Sequence, residues 1–541
     1  MRVCSTGLAT LLAIASLLAA CSVGPDFLRP AAPKDAGYVP TPLPKATAAA
    51  AIYGGDAQRF VEGGDIRFDW WTVFQSPALN ALVDKAIRAN PTVEAAQRAL
   101  AAAEENVYAQ QGYFYPTVGV GYQFQRQMVA GNLANSVAPG CQGNGHCITA
   151  VQSTTPPYNK ALYYNFHTAQ VTVGYTPDVF GLNRRQVESL EAQAAVQRYE
   201  LEATYITLAA NVVAAAIQEV SVRSQIAAVK EIIEVNVKSL DLLRAQQKDG
   251  YAMGIDVAAQ EAALAAARQL LPPLQSQFEQ TRDLLRALVG NLPNEDIDET
   301  FELSSLHLPQ DLPISVPSKL VEQRPDVRAA EEQLRSANAQ VGVAIANRMP
   351  LFSITAAAGG TATQFTQMFS PGGPFWSIIG SVAQTVFDGG TLLHRERAAD
   401  QALYEAAAQY RSTVITAYQN VADTLHALVS DADALSAALD AEVAAKKTLD
   451  LTRAQMDKGY VNYLILLQAE QAYQQALLTL VQAQATRFGD TAALFEALGG
   501  GWWNRAGVAA GEGGEAPEKT GNAAAEQISA SSPDERPSSI Q

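Results

Sequence analysis

The sequence predicts a mainly α-helical chain with a small β part, built from two copies of one unit. Three observations predict it: landmarks that recur at a fixed spacing, two apolar seams far longer than a globular helix, and four short segments that alternate apolar and polar residues. The chain has 541 residues, a net charge of −16 from 54 acidic and 38 basic residues, and only 17% charged residues. A nucleic-acid binder would carry a basic footprint, so that class is excluded. Glycine and proline occur at ordinary levels, which excludes collagen-like and wholly disordered chains.

The repeat is explicit. Asn90-Pro91-Thr92-Val93-Glu94-Ala95-Ala96 recurs as Arg324-Pro325-Asp326-Val327-Arg328-Ala329-Ala330 at an offset of 234, which also carries Leu100 to Leu334 and Pro116 to Pro350. Further on, Arg244-Ala245-Gln246 with Gly250-Tyr251 recurs as Arg453-Ala454-Gln455 with Gly459-Tyr460, and Glu261 as Glu470, all at 209. The offset falls by 25 residues, which places an insertion in the first unit, at 127–160, where Gly, Pro, Asn and Ser cluster. Each unit reads helix, strand, strand, long helix, short turn, helix.

The first element of the chain is an export signal. Arg2 precedes an apolar run from Leu8 to Leu18, too short to span a bilayer, and Leu18-Ala19-Ala20-Cys21 resembles a lipobox. Cleavage would leave Cys21 as the acylated, palmitate-type anchor, and Ser22 in place of aspartate implies sorting to the outer membrane. No later stretch reaches 18 uncharged apolar residues, so any membrane span must be a β-barrel.

The strand segments follow Pro116 and Pro350. Val118, Val120, Tyr122 and Phe124 share one face, as do Ala169, Val171, Val173 and Tyr175, then Phe352, Ile354, Ala356 and Ala358, then Trp376, Ile378, Val382 and Val386. Each segment is about ten residues, the length that crosses a bilayer when tilted, although half-buried strands of a soluble sandwich also alternate. Four strands cannot enclose a lumen, so several copies must share one barrel.

The long helices are expected from Gly181 to Lys248 and from Gly390 to Asp457, each about 100 Å at 1.5 Å per residue. Their seams are Leu201, Tyr205, Leu208, Val212, Ala215, Val222, Ile226, Val229 and Ile233, and Tyr410, Val414, Ala417, Val421, Leu425, Leu428, Ala432, Leu435 and Leu439. The step averages about 3.6, weaker supercoiling than a strict heptad. Turns at Asp249–Ile255 and Lys458–Tyr463 return the chain through helices near 256–289 and 464–498, and Pro272-Pro273 should kink the first of these. The resulting divisions are a signal peptide (1–20), a lipidated segment (21–76), a first repeat (77–290), a linker (291–318), a second repeat (319–503) and a tail (504–541). From Ala506 onward six acids, two bases and few large apolar residues predict disorder.

With these elements in place, the chain resembles the TolC-like outer membrane efflux proteins, in particular their lipoprotein, NodT-type branch. The carriers are Cys21-Ser22-Val23-Gly24-Pro25-Asp26-Phe27, the two Pro-bounded repeats, Asp178-Val179-Phe180-Gly181, Leu320-Val321-Glu322-Gln323-Arg324-Pro325-Asp326-Val327, and Phe387-Asp388-Gly389-Gly390. The resemblance covers about Cys21 to Trp503. It implies a homotrimer whose twelve strands form one outer membrane barrel, continued by a twelve-helix periplasmic α-barrel. It further implies a passive exit channel for drugs or other small toxic solutes, docked through a periplasmic adaptor onto an inner membrane resistance-nodulation-division pump. A type I protein secretion duct shares the fold, and a lipid-anchored coiled-coil scaffold without a pore is the alternative from another class.

The resemblance also assigns site residues. Leu464 and Gln468 are the candidates for the periplasmic gate. Family members often carry an acid where this chain has Gln468 and a base where it has Gln471; Asp256, Asp249 and Asp457 near the tips could supply negative charge instead, or be solvated turn residues. Arg244, Lys248, Gly250, Tyr251, Arg453, Lys458, Gly459 and Tyr460 are the candidates for adaptor contact, while the two glycines first suggest left-handed helix ends and the four cations sit where the helix dipole favours them. Cys141 and Cys147 in the insertion are expected to form a disulfide after export, with a metal site including His146 as the alternative. No catalytic triad, phosphate loop, zinc spacing or cofactor motif is present, so no enzyme activity, cofactor or metal is expected.

Overall fold

A computed structural model describes residues 22–31, 33, 37–129 and 162–505. The signal, Cys21, the Cys141 and Cys147 pair and the tail beyond Arg505 lie outside the described residues. In chain order the elements are β1 (Arg59–Glu62), α1 (Pro77–Ala89), α2 (Pro91–Gln111), β2 (Thr117–Val129), β3 (Leu162–Tyr175), α3 (Leu182–Lys248), α4 (Gly254–Leu288), β4 (Asp311–Ile314), α5 (Pro317–Gln323), α6 (Pro325–Ala346), β5 (Leu351–Ala362), β6 (Pro374–Ala383), α7 (Thr391–Asp457) and α8 (Tyr463–Ala497). Strands β2 and β3 run longer than the ten residues expected, and β6 stops at Ala383 rather than reaching Val386.

The sheet order is β2-β3-β5-β6, all antiparallel, leaving β2 and β6 as open edges. Its register aligns the apolar positions across all four strands: Val118, Val173, Ala356 and Ile378 form one row, and Val120, Val171, Ala358 and Trp376 the next. The opposite face carries rows such as Gly119, Thr172, Ala357 and Ser377, with Ser353 and Ser381 hydroxyls 2.6 Å apart. Arg126 is the one charged residue in the four strands.

Both long helices contain 67 residues and start from a glycine with positive φ, Gly181 at 80° and Gly390 at 90°. The aspartates of the two flagged motifs explain why they start there. Asp178 accepts the N–H groups of Asn183 and Arg184 at 3.0 and 2.9 Å, and Asp388 those of Gly390 and Leu392 at 2.8 and 2.7 Å. Each carboxylate thus satisfies amides that the first helical turn cannot. The Leu392 and then the Gly390 amide hold Asp388 below the usual carboxylate range.

The seam of α7 is buried as expected from Tyr410 to Leu435, but Ala438 is buried where Leu439 was expected, and Leu439 is only partly covered. In α3 the buried set is wider than one seam, because α1, α2, α4, α6 and α8 all pack on it, and Ile226 and Ile233 fall outside it. An 18-residue window of α3 has a mean hydropathy of 1.4, apolar enough for a membrane span, yet 78% of it is buried inside the protein. Pro272 and Pro273 lie within one continuous helix, α4; both are exposed, so the carbonyls they leave unpaired can face water.

Around the middle of the long helices lies the main core, where Trp70, Phe74, Leu79 and Leu82 meet Val212, Val213, Phe488 and Phe495. The Trp70 and Phe495 rings stack at 5.4 Å. The N-terminal segment straps this collar: β1 pairs in parallel with β4 of the linker, an element the sequence pattern did not predict because four residues give no readable alternation. Fully buried Arg487 on α8 donates to the Thr47 hydroxyl at 3.1 Å and to the Asp56 carbonyl. Near the sheet, Arg185 donates to the Val23 and Gly24 carbonyls and pairs with Asp26 at 2.8 Å.

Asp431 on α7 neighbours Asp490 on α8; burial first, then this second carboxyl, push its carboxyl up to about 7 against the pull of Arg487. A carboxyl raised on folding stabilises the fold fully below its unfolded pKa, and that contribution disappears as pH rises through the folded value. Thermal unfolding in detergent should therefore give a lower melting temperature at about pH 8 than at about pH 5, and Asp431→Asn should flatten that difference. The Asp178→Ala variant should lose about 1 kcal/mol in the same assay.

Candidate functional site: the tunnel tip and the transmembrane face

The site has two ends. The tip is where α3 turns into α4 and α7 into α8. Gly250 and Gly459 adopt φ of 83° and 73°, the left-handed helix ends expected of them. Arg244 pairs with Glu261 at 2.7 Å and Arg453 with Glu470 at 3.1 Å, so the two hairpins repeat the same cross-helix bridge at the repeat offset. These arginines are therefore engaged within their own hairpins. Lys248, Asp249, Asp457 and Lys458 are exposed at the turns. Asp256 accepts the Met253 amide at 3.2 Å and so caps α4.

Leu464 and Gln468 lie one turn apart on the exposed face of α8, while Tyr463 and Leu467 face inward. Tyr251, Tyr460, Met253 and Ile255 are each at least 65% exposed, an apolar patch at the extreme of the molecule. Patches of this kind on an otherwise polar surface mark interaction sites.

One functional candidate escaped the sequence. The Tyr463 hydroxyl donates to the Gln260 side-chain oxygen, and the Gln260 amide donates to the Asn236 carbonyl and side-chain oxygen at 3.0 and 3.1 Å. All three are buried, among Leu240, Leu243, Val257, Leu264 and Leu467. This relay ties the second hairpin to both helices of the first. Burial, then the Glu470 and Asp256 carboxylates, push the Tyr463 phenol above its usual range, so it remains a donor. At the repeat offset the corresponding residues are Gly254, Ala469 and Ala445, so the relay exists once per chain. That asymmetry between otherwise matched repeats was the signal available.

At the other end, the apolar sheet face is bare: Val118, Val120, Trp376, Ile378 and Val382 are 63–84% exposed. The strand ends nearest the helices carry Tyr113, Tyr115, Phe352 and Phe387, and the far ends Tyr122, Phe124, Tyr163 and Phe365. An uncharged apolar band between two aromatic zones is the arrangement of an outer membrane barrel wall. Among the described residues no cluster of His, Cys, Asp and Glu could hold a metal ion.

A family model described as Outer membrane efflux protein matches residues 82–291 and 316–500. The chain belongs to that family. Among its relatives, the toluene efflux pump outer membrane protein TtgF of Pseudomonas putida is 26% identical over 504 residues, covering 91% of this chain and 96% of the relative. The outer membrane protein OprJ of Pseudomonas aeruginosa is 27% identical over 514 residues, covering 93% and 97%. Of solved structures, the outer-membrane channel OprN superposes with a TM-score of 0.75 at 25% identity, covering 89% of this chain and all of the other. The protein is thus an outer membrane efflux channel, with its helices forming a tunnel in the periplasm.

Breaking the relay should loosen the tip. Tyr463→Phe leaves the buried Gln260 oxygen without a donor, an expense of about 1–3 kcal/mol at a contact between hairpins. Single-channel recordings in planar bilayers should show a higher conductance or more frequent opening than wild type; identical traces would show that the relay does not hold the tip shut.

Proposed function

We propose that three copies of this chain form one passive duct from the periplasm through the outer membrane. The observation that carries the reading is the four-stranded sheet with one continuous apolar face and two unpaired edges. Lipid cannot hydrogen-bond the free amides of β2 and β6, so β6 of one copy pairs with β2 of the next until the ring closes. Four strands per copy and three copies give the twelve-stranded barrel, and four helices per copy the twelve-helix tunnel. The polar rows of Thr, Ser and Gln then line the lumen.

Cys21 carries the lipid anchor in this reading. Ser22 rests against Gly181, where an added Cβ would come within 2.7 Å of the serine hydroxyl, so the anchor leaves the protein at the junction of sheet and helices. Leu464 and Gln468 project toward the axis and narrow the mouth by size and polarity, without a carboxylate ring at that level. The exposed tip residues Tyr251 and Tyr460 receive a periplasmic adaptor, which connects to an inner membrane pump of the resistance-nodulation-division type. The cargo is small toxic solutes, in keeping with relatives named for toluene efflux.

Chemical crosslinking in native outer membranes should give a species of three chains. A photo-crosslinking residue at 251 or 460 should capture one periplasmic adaptor, and Leu464→Ser should raise channel conductance. A monomeric, non-conducting protein would refute the duct and favour an anchored scaffold.

A further inference from the structure

The connection between β5 and β6, residues 363–373, lies at the end of the sheet away from the helices, the external end in an outer membrane channel. It contains no charged residue, and its sequence includes Phe365, Met368 and Phe369. Such a loop could fold inward over the lumen, stand up into water or fold outward.

The contacts decide between these. The Phe365 ring meets Tyr122 edge-on at 5.9 Å and His167 at 6.1 Å. Tyr122 and His167 are themselves joined by a 2.8 Å hydrogen bond, and both stand on the apolar face, in the rows of Ala169 and Phe124. Gly360 belongs to that same row set, opposite Ala169 and Pro374, and a Cβ built on it would lie 2.3 Å from the Met368 carbonyl oxygen and 3.0 Å from the Phe369 ring. The loop therefore lies down upon the apolar side of the sheet, and glycine at 360 is what lets it approach. Bonds from the Thr361 amide to the Gly373 carbonyl and from the Gly373 amide to the Ser370 carbonyl, both 2.9 Å, fix its base. Met368 is buried beneath it, while Phe365 and Phe369 remain 61% and 68% exposed.

We propose that this loop is a lipid-inserted wedge: it folds outward over the barrel and seats Phe365 and Phe369 in the interfacial zone of the outer leaflet, leaving the exit mouth uncovered on this side. The inference rests on the reading of the apolar face as lipid-facing, with which the loop is continuous. Aromatic rings at the rim of a membrane barrel gain from sitting between headgroups and acyl chains, and the absence of charge removes the main penalty for entering that zone.

The test uses benzoylphenylalanine placed at 369, at 120 on the apolar face and at 251 on the tip, in intact outer membranes. Position 369 should yield an adduct with outer leaflet glycolipid, as position 120 yields a lipid adduct, whereas position 251 should yield none. A lipid adduct at 120 with none at 369, or an adduct at 369 with a second copy of the chain, overturns the wedge while leaving the channel intact. No lipid adduct at either position overturns the reading of the sheet itself. As a second measurement, the Phe365→Ser, Phe369→Ser double variant should conduct as wild type, because the loop lies outside the lumen; a rise in conductance would place the loop in the lumen and overturn the proposal.

Discussion

A bilayer offers no hydrogen bonds to a backbone, and this one constraint organises the molecule. The open edges of the β2-β3-β5-β6 sheet leave amides and carbonyls that only another strand can satisfy. From it follow the pairing between copies proposed above, the uniform register of apolar rows, and the near-absence of charge in the strands. The helices obey the opposite condition. They satisfy their backbones internally, stand in water, and can reach about 100 Å because each is buttressed along its length rather than by its ends.

Much of this was legible in the sequence. The ends of α3 and α7 fell within a residue of the expected positions because glycine at one end and a Gly-Tyr turn at the other punctuate each helix. The strand faces followed from period-two alternation and survived because register in a sheet with one apolar face is strongly specified. The flagged aspartates of the Asp178 and Asp388 motifs turned out to cap the long helices, a role their spacing did not reveal.

Other features were hidden for physical reasons. The β1 and β4 pairing joins residues some 250 positions apart through segments of four residues, too short to carry a pattern. The wide burial of α3 reflects five neighbouring helices, and periodicity of one helix cannot count its partners. Of the tip residues, Arg244 and Arg453 proved to be bridged within their hairpins and Asp256 to be a cap, whereas Tyr251, Tyr460, Leu464 and Gln468 remain free on the surface. The Tyr463 relay depends on three residues from three helices, and only the comparison of one repeat with the other could have drawn notice to it.

In the trimer proposed above, that relay would also set the symmetry of the tip. Two hairpins per chain would give a trimer six equivalent contacts if the repeats were identical. Because one hairpin carries tyrosine where the other has glycine, only one of the two positions can make the relay, and the six contacts would divide into two kinds. The mouth of such a trimer would be a triangle rather than a hexagon, with three joints of one kind and three of the other. A duct assembled in that way would draw two distinct sets of joints from a single pattern of helices.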